Sequence, residues 1–518
     1  MLKQNLETTV DAATHHANTV GARSRHTPFV RLALLTAGAV AIHGYHVGVE
    51  DGEIYVPAAR KLLDHSLYPF ATEFFLSHGR LSLFSPILAW TARLTHLSMD
   101  WTMLLWYVVS IYLLLAACWK LAATCFTSPR ARWCALLVVT AVLTMPATNT
   151  GLLLIDPYLT SRSLSTPLTV VALTLFLERR YALAWLAVLA TASLHPQMAA
   201  FLVFLMVVLW SASRYRASTR RHAPALTALL GVWPFGLRFE PAQGPYREAL
   251  YARDYFFLSN WTWYHWLGMV APLLFLAWFS WGQLRGTTPA FRQLSFALVP
   301  FGLVSILAGA LFSSSHSFDI LARLQPMRCF HLITLVFVLL FGGVIGEYAA
   351  KGRTWVLAAI SAPLACGMYV VACQTYPNSA HIDWPWVQTS PNAWLNTLLW
   401  VRDNTPKNAV FAVDSRYFKD PGVDERGFRA VSERSALADY YKDGGVAAMF
   451  PHLADEWKQM SDATYGLNHF KAEDFDRLSR QYPVTWAVIH GPAPTTMDCP
   501  YQQHGYTVCR IEPTHSGM

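Results

Sequence analysis

Three carboxylates stand close together early in the chain: Glu50, Asp51 and Glu53, in the stretch VGVEDGEIYVPAARKLLDHSLY at 47–68. They follow directly on an apolar segment. Ionisable groups at a bilayer are costly unless they face water or a cavity in the protein, so acids in that place are candidates for function. A fixed carboxylate at a membrane rim is suited to orienting a hydroxyl acceptor or taking its proton. A pair of acids is suited to holding a divalent ion such as Mg or Mn. The plainer reading is that these acids mark solvent at the end of a membrane helix.

Three further clusters carry the same kind of chemistry. In DPYLTSRS, at 156–163, an acid and an arginine share one short loop. Asp156 is a second acid for a metal or acceptor site. Arg162 either contacts phosphate or neutralises Asp156 beside a helix cap at 160–165. His195, in the tight turn Leu-His-Pro-Gln, is placed for phosphate binding or acid–base work, or is a bare turn histidine at the interface. The stretch SSSHSFDILARLQPMRCFH at 313–331 holds His316, Asp319, Arg323, Gln325 and Arg328. Its arginines form a fork able to grip a phosphate or pyrophosphate, with anionic lipid headgroups as the other partner. In the loop at 236–260, followed by Trp261, Trp263 and Trp266, the aromatic rings either stack on a sugar or mark the membrane interface.

The elements that must position these groups are membrane helices. Of 518 residues, 54% are hydrophobic and only 14% charged, against roughly a quarter charged in a soluble domain. Apolar runs predict eleven spans, at 28–46, 101–124, 133–147, 166–177, 182–194, 198–210, 223–235, 261–282, 294–312, 329–348 and 355–373. Residues 1–27 read as a disordered cytoplasmic tail. The outward loop at 47–100 carries a helix near 56–65 and an interfacial stretch at 81–97. The connections at 126–132, 214–222, 282–292 and 349–353 hold arginine or lysine and no acid, which assigns them to the cytoplasm. Asp51, Asp156, Glu240, Glu248, Asp254 and Asp319 then share the opposite face. The net charge of +8 follows from this loop bias, and nothing in the chain has the basic–aromatic interleaving of a nucleic-acid binder.

Residues 374–393 read as an interfacial linker. Residues 394–518 form a small α/β domain, with helices at 392–402 and 473–481 and strands at 409–413, 484–489 and 506–511, and a further strand expected at 428–431. An odd number of spans from a cytoplasmic N-terminus puts this domain outside. Cys499 and Cys509 lie in it, and are either a disulfide or two free thiols. Cys118, Cys125, Cys134, Cys329, Cys366 and Cys373 sit in or beside apolar segments and read as packing residues.

With these features in place, residues 28–373 resemble the GT-C superfamily of integral-membrane glycosyltransferases, and bacterial members in particular. The likeness rests on Glu50–Asp51 after the first helix, on IYVPAARKLLDHSLYP as a surface-lying helix ending in Leu-Tyr-Pro, and on Arg162 in YLTSRSLSTPL. The WWDYG-type signature of oligosaccharyltransferases is missing. The resemblance implies an all-α polytopic bundle carrying an extracytoplasmic α/β domain in the bacterial cytoplasmic (inner) membrane. It also implies transfer of a sugar from a polyprenyl-phosphate-linked donor to an acceptor on the outer face. Under it, Asp51 is the acceptor-side acid and Asp156 the second acid, with His195 as a third catalytic candidate. Arg162, Arg323 and Arg328 hold donor phosphate, and Glu50, Glu53, Gln325 and His316 support them. The alternative is a non-catalytic scaffold, a subunit of a larger membrane protein complex.

Overall fold

The computed structural model describes residues 28–217, 239–349, 353–387 and 389–511. The N-terminal tail and the span expected at 223–235 lie outside the described residues. The chain is mostly helical, with a small sheet near its C-terminus. Five helical segments are long and apolar enough to cross a membrane: Met99–Cys125, Pro196–Arg214, Pro289–Phe312, His316–Tyr348 and Trp355–Thr375. Pro28–His43, Ser161–Leu177 and Tyr181–Leu194 are apolar but shorter. The protein is therefore a membrane protein by the length and composition of its helices.

The helices that frame the site follow in order. α1 is Pro28–His43. α2 (Gly52–Leu63), α3 (Glu73–Gly79) and α4 (Phe84–Thr95) lie in the loop between α1 and α5. Trp90 and Leu94 of α4 are exposed, as expected for a helix lying at an interface. α5 (Met99–Cys125) and α6 (Pro129–Ala141) are followed by irregular backbone that carries Asp156. α7 (Ser161–Leu177), α8 (Tyr181–Leu194) and α9 (Pro196–Ala217) come next. α10 (Gly244–Tyr251), α11 (Trp263–Trp281), α12 (Pro289–Phe312), α13 (Cys329–Tyr348) and α14 (Thr354–Thr375) complete this part. α6 ends before the limit of the span expected at 133–147, because the chain leaves helical geometry after Ala141 and continues as irregular backbone toward Asp156.

Close helix approach in the bundle depends on small residues. Gly342, Gly343 and Gly346 of α13 face α6 and Phe126; a Cβ on Gly343 would come within 2.2 Å of the Phe126 ring. Small residues at this spacing let two backbones pack by van der Waals contact where no hydrophobic drive separates protein from lipid.

The C-terminal region adds α15 (Ala393–Asn404), α16 (Phe428–Ser432), α17 (Lys442–Met449), α18 (Ala454–Ala463) and α19 (Ala472–Gln481) around a five-stranded sheet. Its strands are β1 (Val410–Ala412), β2 (Ser435–Ala436), β3 (Trp486–His490), β4 (Tyr501–Gln503) and β5 (Tyr506–Arg510), in the order β2-β1-β3-β5-β4. β1 pairs in parallel with β2 and β3, while β5 runs antiparallel to β3 and β4. The segment expected as a strand at 428–431 is helical. The four residues Phe-Arg-Ala-Val are too few for a period to decide their state, and here the Arg429 and Ala430 N–H groups are turned onto Glu53 instead of a ladder.

Cys499 and Cys509 are joined in a disulfide that ties the approach to β4 onto β5. The bond closes a loop with a sequence separation of 10. Chain-entropy reasoning makes such a closure worth roughly 2–3 kcal/mol. Replacing both cysteines with serine is therefore expected to lower the melting temperature of the C-terminal sheet by several degrees, measured by calorimetry with and without reductant. The wild type should fall to the level of the double variant on reduction.

The C-terminal region does not hang free of the membrane part. Gly427 donates its N–H to the Gly48 carbonyl at 2.7 Å, Glu50 donates to the Glu425 carbonyl at 2.9 Å, and Val49 bridges Arg426. Arg426 reaches the Val47 carbonyl at 2.9 Å and Asp383 at 2.7 Å. A side chain at Gly427 would stand 2.1 Å from a Glu53 carboxylate oxygen, so this contact requires glycine. The acidic stretch is thus clamped between the first helix and a domain that lies more than 300 residues further along the chain.

Candidate functional site

A cavity of about 500 Å³ opens between the α1–α5 loop, the α8–α9 turn, the approach to α13 and the C-terminal region. Asp51, Arg162, His195, Arg323, Gln325 and Arg328 all line it. These are six of the ten candidate residues, drawn from four distant stretches of sequence.

Asp51 precedes α2, and its side chain makes no capping bond to that helix. The carboxylate instead turns across the cavity wall, where Arg162 Nη1 donates to it at 3.2 Å and Lys442 Nζ at 3.3 Å. Burial alone would raise its pKa; Lys442, then Arg162 and Arg328, outweigh that and hold it well below the usual carboxylate range. Asp51 is therefore ionised at any physiological pH, while its side chain keeps 29% exposure.

Arg162 sits in the first turn of α7, fixed by a capping box between Thr160 and Ser163. Its second nitrogen donates to Asp156 at 2.7 Å. Asp156 is buried and also accepts from Thr160 at 3.2 Å. Burial pushes the Asp156 carboxyl up, against the pull of Arg162. One guanidinium thus bridges two carboxylates in the place where two acids would otherwise share a cation. Among the described residues no group of three or more His, Cys, Asp and Glu is arranged to hold a metal ion. The donor set does not fit the divalent ion that the paired acids suggest.

His195 lines the cavity, and its Nδ1 accepts from the Met198 N–H at 3.4 Å. Burial, reinforced by Arg162 and Arg328, holds its imidazole down at about 3. It is neutral at pH 7, so it offers a hydrogen bond and no positive charge. Glu53 points the other way, into a buried cluster in which Arg429 Nε and the Arg429 and Ala430 N–H groups donate to it at 2.8–3.0 Å. Its contacts are those of an anchor between α2 and α16. His316 is exposed and bonds Tyr251 beside Asp319; it is not among the residues lining the cavity.

The cavity wall has polar atoms without partners. Arg328 Nε, Arg253 Nε, Gln325 Oε1 and His78 Nδ1 are buried and make no hydrogen bond. Buried polar groups are nearly always satisfied, so such a cluster calls for a ligand or water. Gln325 also holds a left-handed backbone, with φ of 50°, the kind of strain that collects at functional sites. Leu81, Leu194, Pro196, Ala200, Phe201 and Leu324 give the same cavity an apolar side, and Leu81 and Leu324 are exposed at its edge.

Lys442, Arg253, Tyr55 and His78 are site residues that sequence reasoning did not assign. Arg253 stood in a loop already marked as charged. Lys442 had no local signal at all: it reaches the site because α17 docks against the α1–α5 loop, beside Glu50 and Asp51. A larger cleft of about 860 Å³ lies on the other side of α2, beside Trp384, Trp386 and Trp400. Its arginines are already paired, Arg60 with Asp100 and Glu433, and Arg402 with Asp100 and Asp403. The smaller cavity holds Arg253, Arg323 and Arg328, which have no carboxylate at ion-pair distance among the described residues, and this makes it the candidate site.

Glu50 sits at the edge of this site with Lys442 on one side and Glu425 on the other. Burial, then the hydrogen bond to Glu50 and its charge, raise Glu425 to about 7, against the pull of Lys419. A carboxyl raised on folding binds its proton more tightly in the native state. Its contribution is fully present below the unfolded value and is lost as pH rises toward 7. Glu50, held below its usual value, titrates below that window. Relative to wild type, Glu425→Gln is therefore expected to gain melting temperature, by a few degrees, as pH rises from about 5 to 8, because only the wild type loses the Glu425 contribution over that window.

Neither the protein-family models nor the curated proteins contain a match to this chain.

Proposed function

We propose that the protein is a GT-C-type glycosyltransferase that moves a sugar from a polyprenyl-phosphate-linked donor to a hydroxyl acceptor on the outer face of the bacterial cytoplasmic membrane. In this reading the chain crosses the membrane eleven times, with its N-terminus cytoplasmic and its C-terminal domain periplasmic. The observation that carries it is the meeting, in one cavity, of an ionised Asp51, the arginines Arg323 and Arg328 without carboxylate partners, and an apolar side.

The chemistry follows from those groups. The acceptor hydroxyl donates a hydrogen bond to Asp51, which orients it. Its oxygen forms a bond to the anomeric carbon as the bond from that carbon to the donor phosphate oxygen breaks. The phosphate leaves with the electron pair and is stabilised by Arg323 and Arg328. The proton passes to Asp51 late, once bond formation has made the hydroxyl oxygen acidic, because a carboxylate with a depressed pKa is a weak base. The lipid chain lies along the side formed by Leu81, Pro196 and Phe201.

A scaffold role is the second reading, and the double pairing of Asp51 with Arg162 and Lys442 favours it. Mass spectrometry of the protein extracted in mild detergent separates the two. The transferase reading expects a co-purifying polyprenyl-phosphate sugar that is depleted in Arg328→Gln. Stoichiometric recovery with a larger complex, and no lipid-linked sugar, would favour the scaffold.

A further inference from the structure

The charge balance of the cavity bears on which phosphate linkage it takes. Five cations line it: Arg162, Arg253, Arg323, Arg328 and Lys442. Arg162 is committed to Asp51 and Asp156, and Lys442 to Glu50 and Asp51. Five cations against those three carboxylates leave a net charge of +2.

The excess resides in Arg253, Arg323 and Arg328, none of which has a carboxylate at ion-pair distance among the described residues. Arg328 meets only the Gln197 amide oxygen at 3.4 Å and the face of Tyr255. Arg253 donates to the Tyr441 carbonyl and leaves Nε without a partner. All three are partly buried, and charges partly withdrawn from water are costly unless an anion joins them. A phosphate diester brings a single negative charge and would leave the excess half answered. A diphosphate diester brings a pair, together with more oxygens for the forked donors of three guanidinium groups.

We infer that the site binds a lipid-linked diphosphate in preference to a monophosphate, and that arginines rather than a metal ion neutralise it. This rests on the donor-phosphate reading above. It adds Arg253, from the outward stretch before α11, as a third phosphate contact.

The test uses two sugar-free diesters, farnesyl methyl phosphate and its diphosphate counterpart. Their binding to the full-length protein in detergent is measured by titration calorimetry with EDTA present. The diphosphate is expected to bind about tenfold tighter or better. Arg253→Gln and Arg328→Gln should each reduce that preference several-fold without moving the melting temperature by more than about 2 °C. Arg328→Lys, which keeps charge but loses the fork, should fall between. Equal affinity for the two diesters would overturn the inference, as would a diphosphate preference that appears only when Mg or Mn replaces EDTA. Both of those results leave the donor-phosphate reading standing. If neither diester binds, that reading and the inference fall together.

Discussion

Replacing Asp51 with asparagine is expected to cut sugar transfer by roughly 10²–10⁴-fold while leaving the fold in place. The substitution keeps the shape of the side chain and removes the charge that accepts the acceptor's proton. Its structural cost is bounded by the surroundings. Arg162 retains Asp156 at 2.7 Å, and Lys442 retains Glu50. Neither cation is left without a carboxylate, so the melting temperature should change by only a few degrees. The loss should appear in kcat and not in donor binding, because the arginines that grip the donor are untouched. Full transfer by the asparagine variant would remove Asp51 from the chemistry, whatever the remaining residues do.

The largest effect on stability is expected at Arg429, far from any obvious motif. Its guanidinium lies at the centre of three buried carboxylates: Glu53 at 2.8 Å, Asp443 at 2.5 Å and Asp439 at 3.7 Å. All four side chains are almost fully buried. Removing one partner of such a cluster leaves uncompensated charge in a poor solvent, at a cost of about 3–5 kcal/mol. Arg429→Met is expected to loosen α2 from the C-terminal region, because the Arg429 guanidinium joins Glu53 of α2 to Asp443 of α17, and without it two backbone N–H groups alone hold Glu53 beside unanswered carboxylates. Limited proteolysis should then cleave within the C-terminal region under conditions that leave the wild type intact. A variant as resistant as wild type would show that the cluster contributes specificity without stability. Loss of transfer is expected to accompany the uncoupling, since α17 delivers Lys442 to Asp51 and Glu50.

The two predictions mark what could and could not be read along the chain. Asp51, Asp156 and Arg162 were legible because each breaks a local rule: a charge beside an apolar run demands water, a partner or a cavity. Arg323 and Arg328 stood out for a similar reason, as two arginines in one short stretch between apolar runs. Their meeting was not legible, since nothing in one sequence sets the distance between separate loops. Glu53 shows the reverse error of scale. It is adjacent to Asp51 in sequence, but α2 turns it onto Arg429 and away from the cavity. Lys442 lies in an ordinary polar helix start, Tyr-Lys-Asp-Gly-Gly, and only tertiary docking gives it a role. The membrane helices followed apolar length well where runs were long, as at Met99–Cys125 and Pro289–Phe312. Around 133–147, where the run was short, helix gives way after Ala141 to the irregular backbone that carries Asp156.

Whether the cavity performs sugar transfer is decided most directly by turnover. Purified full-length protein, reconstituted in liposomes with polyprenyl-linked sugars extracted from bacterial membranes and labelled in the sugar, should release free polyprenyl phosphate or diphosphate as label moves to an acceptor. That release should persist in EDTA and vanish with Asp51→Asn. Intact donor after prolonged incubation with well-folded wild-type protein and a full complement of membrane acceptors would contradict the assignment and leave the scaffold reading in its place.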